Sequence, residues 1–350
     1  LKKCAKEYPK QFIETFKPPL LIDEVQNAPE LFPYIKIQVD KDKTRGQYWL
    51  SGSQAFELMK GVTESLAGRA GVIKMHSFSY KEISKNANSD PFDPEKPKPN
   101  KYINAKEAFE LIYKGGMPEL YDVINMDRDS FFFSYVTTYI ERDVRLIKDI
   151  GNVELFKKFM RSIAIRNGTT INFSNISNEI GLSDKTIKAW TSVLVTSGII
   201  RLLEPFSSSA IKRLTHMPKI IFMDSGLATY LAGFDSPSAL QMSNEAGNFF
   251  EAYVVSEIIK DYENKGLSID ISHLRNKETD EIDLIIRKNN ILYPLEIKKT
   301  SSPKKEMLKN FSFLDKTGLT IGTGGLICLY DQLYKIDEKN YVYPLSSVIG

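Results

Sequence analysis

The chain has 350 residues, of which 42% are apolar and 26% charged, and its formal charge is +3 at pH 7. That length gives room for about two or three domains with a sizeable core, the composition is ordinary for a soluble globular protein, and the near-neutral charge demands no nucleic-acid partner by bulk electrostatics. Cys4 and Cys328 are too few and too far apart for a disulfide framework or a zinc site, and no run of about 18 apolar residues marks a membrane span, so a cytoplasmic protein with no membrane partner is expected.

Residues 1–17 place Cys4, Ala5, Tyr8, Phe12, Ile13 and Phe16 at helical spacing. Pro18-Pro19 then stops the helix. Leu20-Leu21-Ile22-Asp23-Glu24-Val25-Gln26 is an apolar run ending in two adjacent carboxylates. In a parallel sheet such a run is a buried strand, and ligands sit at its C-terminal end. Asp23 is then placed to hold a Mg²⁺ on a nucleotide, and Glu24 to orient the attacking water. The alternative is a strand end with two solvated acids. Leu31, Phe32, Tyr34, Ile35, Ile37 and Val39 predict a helix over residues 27–41. Gln47-Tyr48-Trp49-Leu50-Ser51-Gly52-Ser53-Gln54 predicts a second short strand broken at Gly52. Strand, helix, strand is the pattern of a parallel α/β sheet.

Glu64-Ser65-Leu66-Ala67-Gly68-Arg69 and Met75-His76-Ser77-Phe78-Ser79-Tyr80-Lys81-Glu82-Ile83 follow. In this order the segments resemble prokaryotic AAA-family ATPases that carry a C-terminal domain of uncharacterised function. The resemblance makes residues 20–26 a Walker B strand and implies ATP and Mg²⁺ as cofactors. It makes Ser53 or Gln54 the polar sensor near the γ-phosphate, and Arg69 a phosphate-sensing or trans-acting arginine that implies a homo-oligomer. A surface arginine on a loop is the alternative for Arg69. Ser77 stands where the family usually has proline. The P-loop, Gly-x-x-x-x-Gly-Lys-Ser/Thr, occurs nowhere in the 350 residues. The glycines between Gly318 and Gly325 have no lysine in place and predict a turn. The expectation is an N-terminally truncated chain whose P-loop strand and first helix precede residue 1, or else a lineage without a P-loop. Either way, efficient ATP hydrolysis by these residues alone is not expected.

Residues 86–100, with Pro91, Pro94, Pro97 and Pro99 among Asn, Asp and Lys, predict a surface loop that builds no core. Tyr113-Lys114-Gly115-Gly116-Met117-Pro118 is a glycine-pair turn that resembles a segment of the same family, and residues 134–144, with Tyr139-Ile140-Glu141-Arg142-Asp143, resemble one of the family's helices. Glu141, Arg142 and Asp143 read as a solvated helix face with local ion pairs, the alternatives being an interdomain contact or a part in sensing nucleotide. Residues 154–203 predict a winged helix-turn-helix. A short helix ends at Gly181, Ser183 caps a second one, and Ile187, Trp190, Val193 and Leu194 share one face. Lys185, Thr186, Lys188 and Thr191 are then available to DNA in a major groove, though two lysines are a thin footprint. Plain packing is the other use of such a module. Asp224, in a segment that resembles the family's Asp-x-Gly-Leu, is expected to cap a helix.

The last third carries its own chemistry. Phe249 to Ile259 predicts an amphipathic helix, and Glu281-Ile282-Asp283-Leu284-Ile285-Ile286 and Tyr293-Pro294-Leu295-Glu296-Ile297-Lys298 predict a hairpin turning at Asn289-Asn290. Side chains alternate along a strand, so Glu296 and Lys298 share a side, and Asp283 reaches them across the hairpin. Asp, then Glu-x-Lys, resembles the restriction-endonuclease-like fold. There, carboxylates hold Mg²⁺, the metal acidifies a water, and the lysine stabilises the developing charge. Asp283, Glu296 and Glu251 are the expected metal ligands, with Glu296 and Lys298 catalytic. A hairpin with exposed charges, or such a fold kept for binding only, remains open. Lys298, Lys299, Lys304, Lys305 and Lys309 could track a phosphate backbone or simply be solvated.

The expected fold class is α/β. A partial P-loop-type AAA core spans 1–77, a helical lid 78–150, a winged helix-turn-helix 151–206, and a nuclease-like α/β domain 207–350. The expected function is an ATP-binding AAA-type ATPase, here lacking its P-loop, whose nucleotide state moves the C-terminal domains on DNA. A Mg²⁺-dependent nuclease and a non-catalytic interaction module are the alternatives.

Overall fold

The computed structural model describes residues 1–52, 65–123, 126–139, 152–206, 217–275 and 281–350. They form two compact units, Leu1–Ile73 and Lys74–Gly350. Glu141, Arg142 and Asp143 lie outside the described residues.

In the first unit the predicted N-terminal helix is two, Lys2–Glu7 (α1) and Pro9–Thr15 (α2), divided at Tyr8. Pro9 explains the break, because proline suits the first turn of a new helix and not the interior of an old one. Leu20–Ile22 (β1) and Tyr48–Leu50 (β2) pair in parallel, Leu21 opposite Trp49. The helix between them, Phe32–Lys41 (α3), starts five residues later than predicted, after two short 3₁₀ turns. Ala28 and Pro29 hold that stretch out of the α ladder. Phe12, Ile13, Val25, Leu31, Phe32 and Ile35 form the core on one face of the strands. On the other face Leu21 and Trp49 are 69% and 56% exposed. The predicted strand buried on both sides is therefore covered on one side among the described residues.

The second unit is organised on Ala246–Glu263 (α13) and a sheet. Preceding α13 are Tyr80–Ile83 (α4), Ala105–Lys114 (α5), Glu119–Asp122 (α6), Arg128–Tyr139 (α7), Val153–Ile165 (α8), Phe173–Ile180 (α9) and Asp184–Thr196 (α10). Ile200–Leu203 (β3) pairs antiparallel with Lys219–Phe222 (β4), and Ser225–Ala232 (α11) and Pro237–Met242 (α12) follow. After α13 come Asp270–Arg275 (β5), Glu281–Lys288 (β6), Ile291–Lys298 (β7), a 3₁₀ segment Lys305–Thr317, then Thr320–Ile321 (β8), Gly324–Cys328 (β9), Tyr334–Lys335 (β10), Asn340–Pro344 (β11) and the final helix Ser346–Ile349 (α14). Among the described residues the sheet runs β10-β11-β9-β7-β6-β5, with β8 also beside β7. β5, β6 and β7 are antiparallel neighbours, whereas β9 is parallel to both β7 and β11. The predicted turn at Gly318–Gly325 thus holds β8 and the start of β9. A Cβ on Gly325 would stand 2.2 Å from the Tyr341 carbonyl oxygen, so glycine there lets two strands approach.

Leu284, Leu295, Ile297, Ile327 and Tyr343 belong to one core with α13, whereas Ile285, Leu292, Leu326 and Val342 pack with Leu308, Phe311 and Leu314 of the 3₁₀ segment. The first core extends without interruption through Phe109, Phe156, Phe159, Trp190 and Phe222. α13 is not amphipathic as predicted. Ala246, residues 249–255 and residues 256–262 are buried all round, including Glu251, Glu257, Lys260 and Asp261. Its polar side chains are paired inside: Asp261 with Lys81 at 2.8 Å and with the Phe92 N–H at 2.9 Å, Glu257 with Lys260 at 3.1 Å and the Tyr80 N–H at 2.6 Å. A charge taken from water needs such a partner. The same contacts correct the proline-rich segment. Phe92 is 4% exposed and sits edge-on to Tyr343, and the Tyr262 and Tyr343 hydroxyls donate to the Phe92 and Pro94 carbonyls.

Asp224 caps α11 as expected, accepting from the Leu227 N–H at 2.8 Å, and also accepts from the Gly116 N–H at 2.9 Å. The Gly115–Gly116 turn lies against that helix start and against Phe78, whose N–H donates to the Gly116 carbonyl at 2.7 Å. A Cβ on Gly116 would stand 2.1 Å from the Phe78 carbonyl oxygen. Gly247, an exposed residue in the first turn of α13, has open space around it. Gly116→Ala should therefore destabilise the chain by about 2–3 kcal/mol or more, and Gly247→Ala should stabilise it by about 0.5–1 kcal/mol. Urea unfolding of the two variants against the wild type checks both signs.

Candidate functional site

Two places bring together the residues singled out in the sequence. The first is the C-terminal end of β1 and β2. The Ser51 N–H donates to the Ile22 carbonyl at 3.0 Å, and the Val25 N–H donates to the Ser51 carbonyl at 3.0 Å, so the two strand ends are locked side by side. The Ser51 hydroxyl donates to the Asp23 carboxylate. Asp23 is exposed and Glu24 half-buried. Glu24 takes a left-handed backbone with φ of 51°, uncommon for a residue with a side chain, and its carboxylate accepts from the Gln26 amide. Ser53 and Gln54 lie outside the described residues. Ser51, not weighed in the sequence, is the hydroxyl beside Asp23; its position opposite the end of β1 was legible only once the register was known. Arg69 is exposed but not unpartnered. Its guanidinium grips Asp40 with two contacts, Nε to Oδ1 at 2.7 Å and Nη2 to Oδ2 at 3.2 Å. That fork holds the Asp40 carboxyl below its usual range.

The second place lies in the other unit. Asp283 on β6 receives the Ile297 N–H and the Lys298 ammonium on the same oxygen, each at 2.8 Å. Lys298 also contacts Glu296 at 2.8 Å. The hairpin therefore brings Asp283, Glu296 and Lys298 together. Asn289 and Asn290, both with positive φ, make its tight turn and set the register. Glu296 is 2% exposed, and its Oε1 is buried with no hydrogen-bond partner. Burial, with the adjacent Asp283 charge, pushes the Glu296 carboxyl up to about 9 against the pull of Lys298. Asp283 is held below the usual range: burial raises it, but Lys298, Lys219 and the Ile297 N–H together outweigh that.

Glu251 is present but has a different neighbour. Its Oε1 lies 2.5 Å from the ammonium of Lys219, at the start of β4. The same ammonium contacts Glu281 and stands 3.9 Å from Asp283. Burial raises the Glu251 carboxyl to about 8, with Lys219 opposing and Asp283 adding to the rise. The three carboxylates raise Lys219 above its ordinary value despite its burial. Nearby His273 is depressed to about 3, first by burial and then by Lys219, so its ring is neutral at pH 7. The sequence reading missed Lys219 and Glu281. Glu281 stands two positions before Asp283 on one strand, which is a usable signal. Lys219 opens an apolar run, and nothing local ties it to residues 251–283.

The donor chemistry of Glu251, Glu281 and Asp283 is that of a hard cation, with carboxylate oxygens lying within 4.8 Å of one another. The expected Mg²⁺ does not fit there as the side chains stand, because an ammonium already fills the space between the oxygens. Asp283 and Glu296 are likewise bridged by Lys298.

In the three-helix and hairpin segment, Lys185 and Lys188 are exposed, but Thr191 is 2% exposed and donates to the Ile187 carbonyl at 2.8 Å. Thr191 is therefore unavailable to a groove. Its hydroxyl is spent on its own helix, one turn back.

Residues 1–84 match a family model described as an AAA domain. Residues 105–238 and 246–348 match two models each described as a domain of unknown function, DUF8612 and DUF4143. Residues 1–84 are thus similar to an AAA domain, and residues 246–348 to a DUF4143 region. Uncharacterized proteins of Mycobacterium bovis and Mycobacterium tuberculosis are each 24% identical over 285 residues, covering 81% of this chain. The match spans 59% of the length of each of these relatives. The crystal structure of protein VC1899 from Vibrio cholerae is 14% identical, covering 88% of this chain and 80% of that one, with a TM-score of 0.20. No helix among the described residues is long and apolar enough to cross a membrane.

Glu296 yields a pH test. Its proton is retained in the folded chain up to about 9 and leaves the unfolded chain near the ordinary glutamate value of about 4.3. Between these limits the folded state binds the extra proton, so this group makes stability fall as pH rises. Glu296→Gln imitates the protonated acid without that dependence. Its melting temperature should gain on the wild type steadily from pH 5 to pH 8. A difference that stays flat across this range would contradict the burial argument.

Proposed function

We propose that the chain is the nucleotide-responsive part of an AAA-type ATPase in which Asp23 and Glu24 act on Mg²⁺–ATP and the second unit acts on DNA. The observation that carries this reading is the end of the parallel pair β1–β2. An exposed carboxylate, bonded by the hydroxyl of the adjacent strand, stands beside a second carboxylate on a left-handed backbone. Backbone conformations of that kind cluster at functional sites, and the step from the outlier to a role runs in that direction. The match of residues 1–84 to an AAA domain supports it. Asp23 would hold the metal on the nucleotide, and Glu24 would orient the attacking water. Ser51 keeps the Asp23 side chain aimed. Arg69, held by Asp40, is available to a nucleotide or a second subunit only after releasing that aspartate.

In the same proposal the segment from α8 to β4 is a winged helix-turn-helix, with α10 as the reading helix and Lys185 and Lys188 facing phosphate. The sheet from β5 to β11 is a nuclease-like fold used for binding. Cleavage at Asp283, Glu296 and Lys298 is the weaker reading, since the surrounding carboxylates already hold two ammonium groups.

The test uses the protein expressed from its complete reading frame. Glu24→Gln should lower ATP turnover about 100-fold or more, the scale of losing a positioned general base, while leaving Mg²⁺–ATP affinity near that of the wild type. Asp23→Ala should lose the Mg²⁺ dependence of binding. Hydrolysis at the wild-type rate in Glu24→Gln would refute the assignment.

A further inference from the structure

We propose that Lys219 is the resident cation of the cage formed by Glu251, Glu281 and Asp283, held there in place of a divalent metal ion and supplied by the β3–β4 pair rather than by the larger sheet. The three carboxylates come from α13 and from two positions of β6. Their oxygens converge as a metal site's would, all within 4.8 Å. The ammonium of Lys219 lies among them, 2.5 Å from Glu251, against Glu281, and 3.9 Å from Asp283. An ammonium has three donors and no acceptor, so three carboxylates are a complementary set.

The lysine is placed by its backbone as well as by its charge. β4 is bonded along β3 on one side. On the other side the Ile171 N–H donates to the Pro218 carbonyl at 2.9 Å, the Ile220 N–H to the Thr169 carbonyl at 3.0 Å, and the Gly168 N–H to the Ile220 carbonyl at 2.7 Å. Lys219 is 2% exposed, so its side chain has no solvated alternative without moving the strand. Glu281, with its side chain 29% exposed, is the member of the cage open to solvent. A Mg²⁺ or Mn²⁺ entering here would need oxygens at about 2.0–2.2 Å and several waters, in space the ammonium fills. The β3–β4 pair thereby closes the carboxylate cage of the larger sheet. Taking away the lysine's charge would leave buried carboxylates whose oxygens are already gathered for a divalent ion.

Mn²⁺ titration of the nucleotide-free chain, followed by electron paramagnetic resonance of free Mn²⁺, tests this. Wild type and Glu281→Gln should bind the same number of Mn²⁺ ions. Lys219→Ala should bind one more ion per chain, and the double variant Lys219→Ala with Glu281→Gln should lose it. Loss of a bound ion on going from wild type to Glu281→Gln would overturn the proposal, because a metal would then coexist with the lysine. So would a Lys219→Ala chain that is folded by circular dichroism and gains no ion. Should Lys219→Ala not fold, the wild-type and Glu281→Gln titrations decide the question between them.

Discussion

The second unit depends on how buried charge is matched around α13. A helix buried on every side has no water to solvate its polar residues, and α13 carries Glu251, Glu257, Lys260 and Asp261. Each is met by a group from another element or another turn: Glu251 by Lys219 of β4, Glu257 by the Tyr80 N–H, Lys260 by Glu257 one turn back, and Asp261 by Lys81 of α4 and the Phe92 N–H. Removing one partner of such a pair strands a charge at a cost of about 3–5 kcal/mol. The pairings therefore specify which segments pack on the helix, in a way that apolar contact alone would not. The contact between Lys219 and Glu251 is the most consequential of them, since Lys219 also joins the β3–β4 pair to the larger sheet through Glu281 and Asp283.

That arrangement bears on the chemistry of the C-terminal sheet. Two lysines, Lys219 and Lys298, face four carboxyl groups, and burial drives Glu251 and Glu296 toward their protonated forms. The cluster approaches neutrality with its own cations and protons. A site prepared for a metal ion would instead leave carboxylates ionised and short of cations. In the first unit the contrast is clear. Asp23 is exposed, and its hydrogen-bond donor is a neutral hydroxyl and not an ammonium.

Much of this was legible in the sequence because it is local. The run Leu20–Ile22 ending in Asp23, the Asn289–Asn290 turn, the cap at Asp224 and the alternation that sets Glu296 and Lys298 together all follow from neighbours within a few positions. The failures are non-local. Phe92 read as loop because its segment is rich in proline and polar residues, yet α13 and Tyr343 give it a core position. α13 read as amphipathic because charges recur along it, and only their distant partners show that those charges are inside. Thr191 read as a DNA contact because its type is polar, whereas packing against the core settles its facing. Lys219 carried no signal at all, since its partners are 32 to 64 residues away.

The most direct measurement of the central claim is a double-mutant cycle between Lys219 and Glu251, using Lys219→Met and Glu251→Gln and urea unfolding of all four chains. If the ammonium is the cation that holds this buried acid, Lys219→Met leaves Glu251 without that ammonium, Glu251→Gln weakens the hold on a lysine that keeps Glu281 and Asp283, and the pair together restores much of the loss. The expected coupling is about 2–3 kcal/mol, with the double variant more stable than the sum of the singles implies. Additive losses would mean that Lys219 and Glu251 do not depend on one another, and the account of the closed cage would be wrong.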